Sequence, residues 1–255
     1  MDGVLSQEEI NALLNNNDAA DSSDEILTES EKDAIGEIAN ISMGTAATTL
    51  FSLVNRRVEI STPVVSFSNW DKIVDEYEKP CVFIKIGYTQ GLNGSNILVL
   101  KEKDVKIITD LMMGGDGTNI NGEIGELHLS AISEAMNQMM GSSATSLSSM
   151  LNRTIDISPP IAEVVDLKNT LNEGEIDSFL SEEFVKISFR MEIGDLVDSE
   201  IMQLYPPAFV KDMCKGVSQN MELDTQSVTE DVPQSSNTAT QAAPIQQPQD
   251  SGSMK

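Results

Sequence analysis

Apolar residues recur every three to four positions along two long stretches, which predicts amphipathic helices at about Thr28–Asn55 and about Gly125–Leu151. Thr28 followed by Glu31 is a helix-capping pattern. Runs rich in Val and Ile predict strands, with shorter helices after them. The strands are Val58–Phe67, Cys81–Tyr88, Asn96–Leu100, Thr154–Val165, Phe184–Ile193 and Glu200–Leu204, and the shorter helices are Lys103–Met113 and Pro207–Lys215.

The same order of elements, α-β-β-β-α, therefore occurs twice, and the residues repeat as well. Shifting Glu37–Pro63 by 97 positions onto Glu134–Pro160 gives thirteen identities in 27 positions. This density indicates an internal duplication. The predicted fold class is α+β, with two units related by a pseudo-two-fold axis and long helices packed on a mixed β-sheet.

Polar stretches outside this periodic region divide the chain into four parts. Residues 1–14 read as a short capped helix whose apolar stripe needs a partner, because so few residues cannot hold a helix alone in water. Residues 15–27 are predicted to be a flexible linker, 28–216 the duplicated domain, and 217–255 a disordered tail rich in Gln, Ser and Pro.

The formal net charge of −25 excludes several classes of function. Nucleic acids and anionic lipids bind basic surfaces, so neither is an expected partner. Residues 1–30 carry eight acids and no base, so part of the charge lies outside the core. No apolar run approaches the roughly 20 residues of a membrane helix. The start of the sequence also lacks the basic segment that opens a signal peptide. These features predict a cytoplasmic protein without membrane insertion.

Cysteine and histidine are too scarce for several kinds of site. Cys81 and Cys214 are the only cysteines and are expected to be free, buried thiols. His128 is the only histidine and is interpreted as an ordinary residue at a helix entry. Neither a zinc site nor a Ser-His-Asp triad is supported by this inventory. No metal site and no bound cofactor are predicted for this chain.

One polar pattern occurs in both long helices: Asp33-x-x-x-Glu37-x-x-Asn40 in the first and Ser130-x-x-x-Glu134-x-x-Asn137 in the second. Offsets of four and seven residues place the three positions within roughly 60° of one another around a helix. Such a stripe on a single helix is usually a solvated face. Its recurrence in both halves, while neighbouring residues differ, favours a functional role instead.

A carboxylate beside a carboxamide suits one kind of chemistry that needs neither a metal ligand nor a nucleophile on this chain. An amide accepts and donates hydrogen bonds at once, so it can align a water for in-line attack on a phosphoryl group. The carboxylate can pair with a cation of the partner. The substrate must then bring its own magnesium and lysine, as a phosphorylated response regulator does.

The duplicated [Asp/Ser]-x-x-x-Glu-x-x-Asn helices resemble those of the CheC, CheX and FliY family of CheY-phosphate phosphatases. The resemblance implies that Asn40 and Asn137 orient the attacking water and that Glu37 and Glu134 engage the regulator's lysine. Asp33 and Ser130 would support the helix or contact the partner. It also implies hydrolysis of CheY aspartyl-phosphate at two sites, with Mg²⁺ held by CheY.

The opening segment resembles the CheY-phosphate-docking peptide found at the start of FliM and FliY. Its partner-binding residues would be Leu5, Ser6, Gln7, Glu8, Glu9, Ile10, Leu13 and Leu14. Flagellar switch proteins such as FliM, FliG and FliN-like proteins are further partners that this resemblance implies, at the cytoplasmic face of the motor. FliY-type relatives usually continue into a FliN-like domain, whereas this sequence ends at Lys255.

Two other functions stay open at this point. The chain could be a non-catalytic switch or adaptor protein that binds phosphorylated CheY through its first fourteen residues and keeps the duplicated domain as scaffold. A metal-dependent hydrolase is a third interpretation, with no ligand cluster to support it. The repeated glycines Gly44 and Gly141 are interpreted structurally, as positions where two backbones approach closely.

Overall fold

The computed structural model describes residues 26–77, 80–167, 174 and 176–228, and of 218–228 only the backbone. Five helices lie in this part of the chain: α1 (Glu29–Val54), α2 (Trp70–Glu76), α3 (Glu102–Met112), α4 (Glu126–Leu151) and α5 (Pro207–Val228). A short 3₁₀ helix spans Ser178–Ser181. The two long helices predicted from the hydrophobic period are thus confirmed.

Eight strands form one sheet: β1 (Val58–Ile60), β2 (Val64–Ser68), β3 (Cys81–Gln90), β4 (Gly94–Lys101), β5 (Asp156–Ile157), β6 (Ile161–Val165), β7 (Phe184–Ile193) and β8 (Val197–Tyr205). Strands β3 and β4 form a hairpin, and so do β7 and β8. Strand β4 pairs with β8 at the middle of the sheet. At the two ends, β1 and β2 pair with β7, while β5 and β6 pair with β3.

The strand order reflects the internal duplication. Exchanging β1, β2, β3 and β4 for β5, β6, β7 and β8 reverses the order and leaves it otherwise unchanged. An approximate two-fold axis therefore passes between β4 and β8. Each half also donates its first two strands to the hairpin of the other half, so the halves are intertwined rather than merely adjacent.

All of the described strand pairs are antiparallel, so the prediction of a mixed sheet was wrong. The hairpins account for part of this result, because strands joined by a short turn run in opposite directions. The two-fold axis accounts for the central pair, since rotation of a strand about a perpendicular axis reverses its direction. The strand exchange at each end completes the antiparallel pattern.

Helices α1 and α4 cover one face of the sheet and form the main hydrophobic core with it. The alternation of residues along β7 shows this clearly: Val185, Ile187 and Phe189 are fully buried on the helix side. A second, smaller core lies on the other face, around Phe83 and Phe184. The sheet is thus covered on both faces, and α1 and α4 keep one long exposed surface.

Several predicted boundaries differ from the structure for identifiable reasons. Pro63 divides the first predicted strand into β1 and β2, and Pro160 divides its counterpart into β5 and β6, because proline cannot donate a ladder hydrogen bond. Leu27 was assigned to the flexible linker but is fully buried. It precedes the helix cap at Thr28, the usual position of a hydrophobic staple.

The last helix also differs from the prediction, since it continues to Val228, beyond the tail boundary proposed at residue 217. Residues such as Met221, Glu222 and Leu223 have good helix propensity, and no proline interrupts them. The rest of the tail, residues 229–255, and the predicted docking peptide and linker up to residue 25 lie outside the described residues.

Candidate functional site

Helices α1 and α4 lie side by side and run antiparallel. Thr49 Oγ1 donates a hydrogen bond to Ser142 Oγ at 2.8 Å, and Thr45 Oγ1 lies 3.1 Å from Ser146 Oγ. The shift of 97 residues carries Thr45 onto Ser142 and Thr49 onto Ser146. Each of these hydrogen bonds is therefore the symmetry image of the other, and the two-fold axis crosses the helix pair between them.

Both long helices begin with a capping hydrogen bond, and the cap of α1 is the one predicted from the sequence. Thr28 Oγ1 accepts from the amide of Glu31 at 3.2 Å, and the Glu31 carboxylate accepts from the amide of Thr28 at 2.9 Å. In α4 the amide of Gly125 donates to His128 Nδ1 at 3.2 Å. The interpretation of His128 as a helix-entry residue is thus confirmed.

Both helices end in the same way, at an asparagine in the left-handed conformation. Asn55 has φ 49° and Asn152 has φ 47°. Asparagine adopts this conformation more readily than most residues with a side chain, which makes it a natural helix terminator. Caps at both ends therefore fix the length of each helix and the position of its polar stripe.

The motif residues occupy matching environments in the two halves. Asp33 and Glu37 are exposed and Asn40 is half-buried on α1. On α4 the equivalent Ser130 and Glu134 are likewise exposed, and Asn137 is half-buried. Within the described residues, neither the Asn40 nor the Asn137 side chain makes a hydrogen bond. Each half thus presents an exposed carboxylate beside an amide that is available to a ligand.

The structure does not bring the two pairs together into one site. The helices cross near residues 47 and 144, and each asparagine lies seven residues before that crossing. With a rise of about 1.5 Å per residue, Asn40 and Asn137 are separated by about 21 Å along the helix axes. The molecule therefore carries two separate sites at opposite ends of the same helix layer.

One contact distinguishes the two sites. In the second half, Gln138 Nε2 donates a hydrogen bond to Glu134 Oε1 at 2.8 Å. The equivalent of Gln138 in the first half is Ile41, which cannot donate and is 41% exposed. Glu134 is therefore partly occupied within its own helix, whereas Glu37 has no counterpart to that hydrogen bond.

The repeated glycines do not have the role that the sequence suggested. A Cβ atom built on Gly44 or on Gly141 would meet no atom within 4 Å, so neither position allows close approach of two backbones of this chain. The prediction failed because helical spacing alone does not show which face of a helix is covered. Both glycines lie on the same stripe as the motif, with Gly44 exposed and Gly141 half-buried.

A cleft of about 590 Å³ begins beside Gly44, one helical turn after Asn40. It lies between α1 and the edge strand β1, and Phe51 at its far end is 47% exposed. Sequence reasoning missed this feature because it depends on where β1 packs against α1. The other repeated apolar residues are core, as expected, since Met43, Met140, Leu50 and Leu147 are buried.

Other kinds of chemistry have little support in the described part of the chain. No group of three or more His, Cys, Asp or Glu residues is arranged to hold a metal ion there. Cys81 and Cys214 are buried and form no disulfide, as predicted, and burial raises the pKa of each thiol to about 11. Both stay protonated at neutral pH and are poor nucleophiles. None of the described helices has the length and apolarity to cross a membrane.

Fold and site together define an internally duplicated α+β domain with two separate Glu-Asn pairs on its helix layer. The family model described as the CheC-like family matches residues 31–67 and 127–164, in the register of the repeat. The crystal structure of Thermotoga maritima FliY is 42% identical, with a TM-score of 0.70, and the alignment covers 76% of this chain and 99% of that one. This chain belongs to the CheC-like family.

Two curated Bacillus subtilis proteins are also similar. The flagellar motor switch phosphatase FliY is 49% identical over 214 residues, which is 82% of this chain and 56% of FliY. The CheY-P phosphatase CheC is 24% identical over 143 residues, covering 54% of this chain and 67% of CheC. This chain thus spans little more than half the length of the Bacillus FliY.

The middle domain of FliM is a more distant structural neighbour. The Helicobacter pylori FliG–FliM complex matches with a TM-score of 0.60 at 15% identity, covering 74% of this chain and all of the matched chain. At this identity the likeness concerns the fold alone. The same architecture thus occurs with a very different sequence.

Proposed function

We propose that this chain hydrolyses the aspartyl-phosphate of a CheY-type response regulator, with Glu37–Asn40 and Glu134–Asn137 as two sites. The observation that carries the proposal is the recurrence of the Glu-Asn pair, with the same burial in both halves, although only thirteen of the 27 aligned positions are identical. The names of the two Bacillus relatives, a flagellar motor switch phosphatase and a CheY-P phosphatase, support the same assignment.

In this mechanism the asparagine positions the nucleophile. Its carbonyl oxygen accepts a hydrogen bond from a water while its amide nitrogen donates one to the phosphoryl group, which holds the water in line with the bond to be broken. The water oxygen bonds to phosphorus, the bond from phosphorus to the aspartyl oxygen breaks, and inorganic phosphate and a free carboxylate result. Asn40 and Asn137 are exposed enough to reach a partner in this way.

The glutamate and the partner together provide the electrostatic stabilisation of phosphoryl transfer. Glu37 or Glu134 pairs with a lysine of the regulator and orients it toward the phosphoryl oxygens. Mg²⁺ held by the regulator's own carboxylates offsets the negative charge that develops during transfer. Each site on this chain is therefore half of an active site, which the phosphorylated partner completes.

The first fourteen residues act in this proposal as a tether for the regulator. Binding of Leu5–Leu14 to the phosphorylated partner raises its local concentration near both sites. Placement at the cytoplasmic face of the flagellar motor, alongside other switch proteins, belongs to the same proposal. The tether changes how often the regulator reaches a site and takes no part in the bond-breaking step.

The test is the decay of phosphorylated regulator in single-turnover conditions with Mg²⁺ present. The double variant Asn40→Ala/Asn137→Ala should return the decay to the spontaneous rate, because alanine cannot orient the water. Asn119→Ala changes an exposed loop asparagine and should decay like the unaltered protein. Full activity in the double variant would refute the assignment.

A second variant separates catalysis from simple binding. Deletion of residues 1–14 should raise the regulator concentration needed for half-maximal decay and leave the rate at saturation unchanged. If the chain were only an adaptor, the same deletion would remove every effect on the regulator. The two results therefore distinguish a phosphatase from a binding module.

A further inference from the structure

The exposed face of α1 and α4 contains a glycine at the same place in both halves. Gly44 lies four residues after Asn40, and Gly141 lies four residues after Asn137. At about 100° per residue, Gly44 projects within about 40° of Asn40 and about 20° of Glu37, one turn further along the helix. Each glycine therefore forms part of the surface that a ligand of the Glu-Asn pair would meet.

No feature of the chain itself explains these glycines. Neither has the positive φ that glycine tolerates best, and a Cβ at either position would point into open space. Glycine in the interior of a helix is unfavourable compared with alanine. A position where alanine would fit and stabilise the helix nevertheless carries glycine in both halves, although only about half of the aligned neighbours are identical.

The surface around Gly44 combines exposed apolar side chains with a cleft. Ile41 and Phe51 are exposed apolar residues on the same side of α1, and the 590 Å³ cleft between α1 and β1 begins at Gly44. Contiguous exposed apolar surface that is rimmed by polar residues marks protein interaction sites. The bare helix backbone at Gly44 lies between this cleft and Asn40.

We propose that Gly44 and Gly141 are clearance residues, which let the backbone of the phosphorylated regulator lie directly against the helix beside each Glu-Asn pair. This inference rests on the proposed function and adds a positioning residue to each site. A methyl group at either glycine would hold the regulator away from the helix by up to about 1.5 Å. Misplacement by about 1 Å can slow a reaction about a hundredfold.

The first site is tested alone, in an Asn137→Ala background that disables the second. Gly44→Ala in this background should slow the decay of phosphorylated regulator by about tenfold to a hundredfold, and the longer side chain of Gly44→Gln should slow it further. The thermal midpoint of the Gly44→Ala variant should rise, because alanine favours the helix. A glycine needed for folding would instead lower the midpoint together with the activity.

Gly36→Ala is the matched control on the same helix. A Cβ at Gly36 would make only an ordinary contact at 3.7 Å with Val65, and the equivalent residue in the second half is Ser133. This variant should gain stability and keep its decay rate. The reciprocal experiment, Gly141→Ala in an Asn40→Ala background, should slow the second site as Gly44→Ala slows the first.

A binding measurement distinguishes failure of this inference from failure of the proposed function. The full chain is titrated with regulator activated by beryllium fluoride, a stable mimic of the phosphoryl group. Gly44→Ala/Gly141→Ala should bind it more weakly than Gly36→Ala does. Equal binding and equal decay in these variants would overturn the clearance role, whereas retained decay in Asn40→Ala/Asn137→Ala would overturn only the phosphatase mechanism.

Discussion

At the scale of single residues, the two sites share their Glu and Asn but differ in the residue that follows the glutamate by one turn. Gln138 donates to Glu134, whereas Ile41 in the first half cannot donate to Glu37. In the proposed mechanism, a lysine of the partner competes with the Gln138 amide for the Glu134 carboxylate. The two sites should therefore bind the same partner with unequal strength.

The first prediction follows from this contact. In an Asn40→Ala background, where only the second site works, Gln138→Ala should speed the decay of phosphorylated regulator about two- to fivefold. The factor corresponds to the loss of a competing hydrogen bond worth about 0.5–1 kcal/mol. Conversely, Ile41→Gln in an Asn137→Ala background should slow the first site by a similar factor. Unchanged rates in both variants would contradict the role given to this hydrogen bond.

A second prediction concerns Asp104, whose side chain is only 4% exposed in the first turn of α3. Burial raises the pKa of this carboxyl, and the Ser199 hydroxyl, Lys101 and Lys103 oppose the shift only in part. A carboxyl whose pKa is higher in the folded than in the unfolded state lowers stability as pH rises above its unfolded pKa. Asp104→Asn should therefore increase the free energy of unfolding at pH 7.

The gain should shrink as the pH falls below about 4, where the carboxyl is protonated in both states. Urea denaturation at pH 7 and at pH 3.5 measures this difference. Asp71→Asn is the control, because Asp71 lies in the first turn of α2 but is exposed. A gain for Asp104→Asn that does not depend on pH would contradict the burial explanation.

At the scale of the elements, the sequence contained enough information for the helices and less for the strands. Capping residues and a period of 3.6 identify α1 and α4 because both signals are local. The prolines that divide β1 from β2 and β5 from β6 are also visible, but they were read as part of continuous strands. Helix α2 was missed because it is short, although Asn69 caps it by accepting from the amide of Lys72.

The third prediction tests the caps that end the long helices. Asn55→Ala should lower the free energy of unfolding by about 1 kcal/mol, since alanine lacks the short polar side chain that lets asparagine adopt the left-handed conformation. Asn55→Gly should change the free energy of unfolding by no more than a few tenths of a kcal/mol, because glycine adopts positive φ freely. Asn152→Ala and Asn152→Gly should repeat the pattern in the second half, as measured by urea denaturation.

Similar losses for alanine and glycine at either position would show that the side chain of the asparagine matters more than its backbone angle. This comparison has a functional consequence as well. Since the caps fix where each helix ends, a shifted end would move the polar stripe relative to the crossing point at Thr45 and Thr49. Decay of phosphorylated regulator should therefore be less affected by the glycine variants than by the alanine variants.

At the scale of the whole molecule, the sequence predicted the duplication but not how the halves combine. Two consecutive α-β-β-β-α units predict one mixed sheet under the long helices but do not show which strands pair. The structure instead pairs β1 and β2 with β7, and β5 and β6 with β3. These pairings join strands that are far apart in the chain, so no local pattern of residues could reveal them.

The fourth prediction follows from this exchange. A fragment of residues 26–121 keeps the β3–β4 hairpin but leaves β1 and β2 without their partner strand, and it exposes the core face of α1 that α4 covers. Fragment 122–228 has the reciprocal defect. Each fragment alone should therefore lack a cooperative thermal transition, because it cannot bury enough apolar surface to offset the entropy of folding.

Mixing the two fragments should restore the fold, since every strand then finds its partner and the loop between α3 and α4 is the only connection removed. Circular dichroism and size-exclusion chromatography would detect the complex, and decay of phosphorylated regulator would report whether both sites form. A fragment that folds as a stable monomer would contradict the intertwined arrangement. If both sites hydrolyse phosphorylated regulator only after mixing, each Glu-Asn site depends on strands donated by the other half.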